Sequence, residues 1–268
     1  MDNRPIGIFD SGVGGLTAME VLAELMPEEH LVYLGDSLHM PYGERAPEEI
    51  RTLSKAGLRF LLERDVKAVC IACGTATINA LDALQSISPV PVFGVVEPAV
   101  EEALAATENG RIGVLATTAS IRAGAFQRRL TELREDIAVT ARACPVFATI
   151  VEHGLFERSD PRVSAAAEEY LPPLREAGVD TVILGCTHYP LLSEVVKEYA
   201  GENVNLISSG GAAARSLVRC LKEKGMTAQG GRHRAEYFTT GSVEEFAKTA
   251  RIMLRKDISE QLRHVVVK

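Results

Sequence analysis

No apolar run in the 268 residues approaches the roughly 20 that a bilayer-spanning helix needs, so no membrane helix is expected. A basic-then-apolar leader is also missing. The first four residues pass directly into a strand-like run at residues 5–9, and a cytoplasmic protein is expected. Positive charge is not in excess. Lys and Arg number 29 against 36 Asp and Glu, and the net charge of −7 argues against a general nucleic-acid surface. The basic residues that gather late in the chain (Arg232, Arg234, Arg251, Arg255, Lys256 and Arg263) read as a solvated helix face. Five cysteines at irregular spacing make an odd count, so a disulfide framework is not expected. Low-complexity segments are absent as well.

What is present is alternation. Short runs rich in Val, Ile and Leu occupy residues 5–9, 31–34, 66–72, 90–96, 111–116, 179–184 and 204–207. They read as strands buried on both faces, as in a parallel sheet. Helical patterns lie between them, at residues 16–25, 47–62 and 99–105 among others. Pro47 followed by Glu48 and Glu49 suits a helix first turn. A further strand is expected at 237–240 and a last helix at 243–254. This order predicts an α/β fold with right-handed crossovers. A weak internal repeat accompanies it. Superposing Cys73 on Cys186 brings Glu63, Val66 and Val69 onto Glu176, Val179 and Val182, and residues 6–11 resemble 112–117. Short apolar strings match by chance, so these matches alone leave duplication open. If real, it makes two similar lobes around a cleft. Each lobe then presents one cysteine at the carboxyl end of a strand, where open α/β sheets bind ligands.

Cys70 and Cys73 form a Cys-x-x-Cys pair, but no second such pair or His-x-x-His completes a zinc site. A thioredoxin-like pair places its second cysteine inside the helix, not at the strand end. Cys70 reads as a small core residue. Cys73 stands at a strand-to-helix junction, and Cys186 repeats that placement, with Pro190 positioned to open the next helix. A thiol at a helix N-terminus gains thiolate character, so a lowered pKa is expected for both, against the alternative of two packed structural thiols. Cys144 and Cys220 read as structural. Asp10 and Ser11 end a strand just before Gly12 to Gly15. Those glycines allow close backbone approach to an anionic ligand, although the stretch matches neither nucleotide signature. Asp10 also reads as a helix cap. His188 reads equally as a satisfied loop histidine and Glu152 as a surface residue. Pro41, Tyr42 and Gly43 read as a turn, with the Tyr42 hydroxyl available to a ligand.

Five motifs in this order resemble the glutamate racemase family of the aspartate/glutamate racemase superfamily. They are DSGVGGL from Asp10, the Gly35-Asp36 to Pro41-Tyr42-Gly43 stretch, ACGTA around Cys73, GVVEP from Gly94, and LGCTHYPLL from Leu184. The resemblance runs from about residue 6 to 254, and the last string is the most specific. It implies two pseudo-symmetric α/β lobes, residues 1–97 with 207–268 and residues 98–206, and an active site in the cleft between them. It implies cofactor-independent racemisation of glutamate for peptidoglycan, with no metal and a homodimer expected. Carried over by position, Cys73 acts on the D-isomer and Cys186 on the L-isomer. Asp10 assists the first, and Glu152 with His188 the second. Asp10, Ser11, Pro41, Tyr42, Gly43, Gly74, Thr75, Thr117, Thr187 and His188 then contact substrate. Two departures stand out. Gly74 occupies a position that is usually Asn, and His153 follows Glu152 where the pattern is commonly Glu-Glu-Gly. Gly74 keeps open a racemase of another amino acid. A non-catalytic regulatory binding protein on the same scaffold is the alternative from another class.

Overall fold

The apolar runs assemble into two separate parallel sheets in a computed structural model that describes residues 1–230 and 234–268. Arg232 of the late basic group lies outside the described residues. The first sheet begins with β1 (Ile6–Asp10), α1 (Leu16–Leu25), β2 (His30–Gly35), α2 (Pro47–Leu62), β3 (Ala68–Ile71), α3 (Gly74–Ile87) and β4 (Val92–Phe93). Helix α4 (Val96–Ala106) then carries the chain across to the second sheet. That sheet comprises β5 (Arg111–Ala116), α5 (Thr118–Ala123), α6 (Ala125–Leu133), β6 (Ala138–Ala143), α7 (Pro145–Glu152), α8 (Pro161–Tyr170), α9 (Pro172–Glu176), β7 (Thr181–Leu184), α10 (Ser193–Ala200) and β8 (Asn205–Ser208). The chain returns through α11 (Ser209–Glu223) to complete the first sheet with β9 (Arg234–Thr239), α12 (Val243–Leu254) and β10 (Leu262–His264).

Every strand pairing is parallel. The first sheet runs β10-β9-β2-β1-β3-β4 and the second β6-β5-β7-β8. The progression β2-β1-β3-β4 is therefore repeated as β6-β5-β7-β8, with β1 equivalent to β5 and β3 to β7. The weak sequence repeat thus corresponds to two lobes of one topology. All residues of β1, β3 and β7 are buried, as expected of strands covered on both faces by helices.

Three local expectations are corrected. Of residues 90–96 only Val92 and Phe93 pair as strand, since Pro91 offers no N–H and α4 already begins at Val96. Strands β6 and β10 were not anticipated. Both are edge strands whose sequences mix exposed polar residues with apolar ones, so they lack a buried-strand signature. After Cys186 the chain forms a 3-10 turn at Tyr189–Leu192, and α10 begins only at Ser193, so Pro190 opens no α-helix directly. No helix among the described residues is long and apolar enough to cross a membrane.

Candidate active site

The carboxyl ends of both sheets face one cavity of about 320 Å³ between the lobes. That size lies at the lower end of small-ligand sites. Every residue the sequence singled out for the site lines it: Asp10, Ser11, Pro41, Tyr42, Gly43, Cys73, Gly74, Thr75, Thr117, Glu152, Cys186, Thr187 and His188. The equivalence of the lobes explains this convergence. Cys73 follows the end of β3 by two residues, as Cys186 follows the end of β7. Ser11 follows β1 as Thr117 follows β5.

On the first lobe, Cys73 caps α3. Its Sγ accepts from the Ala76 N–H at 3.4 Å and donates to the Ser11 Oγ, also at 3.4 Å. Burial pushes the Cys73 thiol up to about 12, the Asp10 carboxylate adds to this, and the Ser11 and Ala76 contacts oppose it. The expected lowering by the helix N-terminus is thus reversed, because removing a thiolate from water outweighs the helix dipole. Asp10 is only 1% exposed. One carboxylate oxygen accepts from the Gly12 N–H at 3.2 Å, while the other is buried with no partner among the described residues. Burial raises the Asp10 pKa, and the field of His188 lowers it in part. The Tyr33 hydroxyl donates to the Gly12 carbonyl at 2.8 Å and pins the glycine turn from behind.

On the second lobe, Cys186 Sγ lies 3.6 Å from His188 Nδ1. His188 Nε2 lies 2.9 Å from Glu152 Oε1, an ion-pair distance bent away from hydrogen-bond geometry. Burial pulls the His188 imidazolium down, but contacts to Cys186 and Glu152 together outweigh it, and its pKa rises to about 10. His188 therefore carries positive charge beside the second sulfur at neutral pH. Glu152 is the last residue of α7 and half-buried, not a surface loop residue.

Two features were not legible beforehand. The Tyr42 hydroxyl gives its one hydrogen to the buried Asp36 carboxylate at 2.6 Å, which leaves only its oxygen lone pairs for the cavity it lines. Asp36 also accepts from Thr240 at 2.6 Å and is bonded to His39 Nδ1 at 2.8 Å. Its place in the Gly35-to-Gly43 motif was the only signal. In addition, Pro145, Ala148 and Thr149 of α7 wall the cavity. They became visible only once β6 placed that helix. The lobes meet at residues 185–188. Thr17 Oγ1 donates to the Thr187 carbonyl at 3.1 Å, and a Cβ at Gly14 would overlap Thr187 Oγ1 and lie 2.7 Å from His188 Cε1. Among the described residues no cluster of three or more His, Cys, Asp or Glu is arranged to hold a metal ion.

Residues 15–217 match the family model described as Asp/Glu/Hydantoin racemase. A glutamate racemase from Thermoanaerobacter pseudethanolicus is 39% identical over 267 residues, covering 99% of this chain and 98% of the relative. One from Corynebacterium kroppenstedtii is 45% identical over 224 residues, covering 84% and 77%. Among solved structures, glutamate racemase isoform RacE1 from Bacillus anthracis superposes with a TM-score of 0.93 at 37% identity and full coverage of both chains. The Francisella tularensis enzyme in complex with D-glutamate gives 0.89 at 30% identity, covering 99% and 98%.

Proposed function

The chain belongs to the Asp/Glu/hydantoin racemase family, and on that premise we propose that it interconverts L- and D-glutamate by proton transfer between two cysteines, without a cofactor. The observation that carries this reading is the position of Cys73 and Cys186. They occupy equivalent strand ends on opposite lobes and line one cavity.

Inverting an α-carbon requires a base on one face and an acid on the other. In the L-to-D direction Cys186 takes the α-proton as a thiolate, and Cys73 returns a proton from the opposite side as a thiol. The roles exchange for the D-isomer. The high pKa of Cys73 suits it to hold the proton that it delivers. The His188 imidazolium stabilises negative charge on Cys186, and Glu152 holds the ring in place. On the Cys73 side the Asp10 carboxylate acts in the opposite sense, favouring the protonated thiol that delivers the proton. Ser11, Thr75, Thr117 and Thr187 supply hydroxyls, and the turn Pro41-Tyr42-Gly43 together with Gly74 completes the wall. Such donors stabilise the carbanion as charge develops, and closure of the lobes keeps water from it. In this reading the lobes are residues 1–97 with 207–268, and residues 98–206. The enzyme works in the cytoplasm as a homodimer and supplies D-glutamate to peptidoglycan.

Proton NMR in D2O with L- or D-glutamate tests the proposal. Deuterium enters the α-position from either isomer with the wild-type chain, and Cys73→Ala and Cys186→Ala each abolish racemisation. No incorporation by the wild-type chain rejects it.

A further inference from the structure

Two backbone groups meet across the cleft beside the sulfurs. Gly74 is the first residue of α3 on one lobe, and Gly185 immediately precedes Cys186 on the other. Both line the cavity. A Cβ on Gly74 would lie 2.7 Å from the Gly185 carbonyl oxygen, closer than such atoms approach in folded proteins. The oxygen therefore occupies space that any side chain at position 74 would need.

That oxygen is held in place. The Gly185 N–H donates to the Leu115 carbonyl at 2.7 Å, extending the β5–β7 ladder by one residue. Thr187, two residues on, is seated against Gly14 and Thr17. The Gly185 carbonyl itself accepts no hydrogen bond from any described residue. A carbonyl at the cavity wall with no protein donor takes its hydrogen bond from whatever fills the cavity. Beside it, the first-turn N–H groups of Gly74 and Thr75 have no intrahelical acceptor. One lone acceptor next to free donors is complementary to an ammonium and a carboxylate on the same carbon.

We infer that the Gly185 carbonyl accepts a hydrogen bond from the substrate's α-ammonium group, and that the bare backbone at Gly74 is what admits the carbonyl to that position. This rests on the reading of the protein as an amino-acid racemase. The ligand class is a free α-amino acid. A dicarboxylate lacking the amine leaves the acceptor unpaired and binds poorly, so Gly74 acts as a specificity determinant.

Gly185-Cys186 is a unique Gly-Cys pair in the sequence, so labelling Gly carbonyls with 13C and Cys nitrogens with 15N isolates this carbonyl by NMR in the wild-type protein. D-Glutamate shifts its 13C resonance downfield, whereas glutarate, the same diacid without the amine, does not. Calorimetry supplies the second arm. The wild type prefers D-glutamate to glutarate, and Gly74→Ala, which pushes the carbonyl aside, lowers that preference about ten-fold, the factor of one ordinary hydrogen bond. An unmoved resonance, an equal shift with glutarate, an unchanged preference in the variant, or no binding of D-glutamate overturns the inference. Neither arm requires turnover. Binding with these signatures but without α-deuterium incorporation rejects the racemase reading alone.

Discussion

Asp36 shows how much a single carboxylate can organise. It is 1% exposed and bonded to Tyr42, Thr240 and His39, so it clamps the 37–43 loop to the end of β9. Tyr42→Phe keeps the ring in the cavity wall but removes one donor from a buried charge. A stability loss of about 1.5–3 kcal/mol is expected, measured by urea denaturation, with KM rising more than kcat falls. An unchanged midpoint would show that the hydroxyl adds nothing. The motif containing both residues is legible in the sequence, but the bond between them is not, so the sequence alone leaves the Tyr42 hydroxyl available to a ligand. His188 gives a pH test. Its folded pKa of about 10 lies above the ordinary 6.5. Its contribution to stability is therefore complete below about pH 6.5 and is lost as pH rises through about 10. His188→Gln cannot titrate, so its Tm declines less steeply than that of the wild type across this window. Parallel Tm profiles from pH 6 to 10.5 would count against the charged histidine.

At the scale of elements, legibility followed burial. Strands β1, β3 and β7 were readable because both faces are apolar, whereas β6 and β10 lie at sheet edges where polar residues conceal the pattern. What ties the strands together at their amino ends was also hidden. Lys67, just before β3, is fully buried, and its Nζ donates to Glu29 at 2.6 Å and to the Asp2 carbonyl at 2.7 Å. Glu29, just before β2, also accepts from the Ala228 N–H at 2.8 Å. In the sequence Glu29 reads as a polar residue between elements and Lys67 as the one charged member of the 66–72 strand run, and neither shows its partner, since burial of a charge is set by groups distant along the chain. Lys67→Met leaves the Glu29 carboxylate buried without its cation, and a loss of about 3–5 kcal/mol is expected by chemical denaturation. Adding Glu29→Gln to remove the stranded charge recovers part of that loss. If the double variant is no more stable than the single one, the pair does not act as a unit.

For the molecule as a whole, the repeated topology places two similar sheets with their carboxyl ends converging, and the chain passes between them twice, from β4 into α4 and from β8 into α11. Superposing the two cysteines in the sequence anticipated the paired lobes. The separation of the lobes could not be read, because it depends on glycines whose importance lies in what approaches them. Gly14 is the clearest case. A methyl group there would overlap Thr187 Oγ1 and crowd the His188 ring, with Nδ1 at 2.8 Å, so Gly14→Ala must hold the 185–188 turn away from the first lobe. Neither sulfur is altered, yet their separation across the substrate is. A displacement near 1 Å costs proton transfer about 10²-fold, and this variant should lose activity on that scale in both directions equally. Small-angle scattering should report a larger radius of gyration with substrate bound than the wild type shows. Full activity in Gly14→Ala would mean that the lobes do not need to close to the distance seen here.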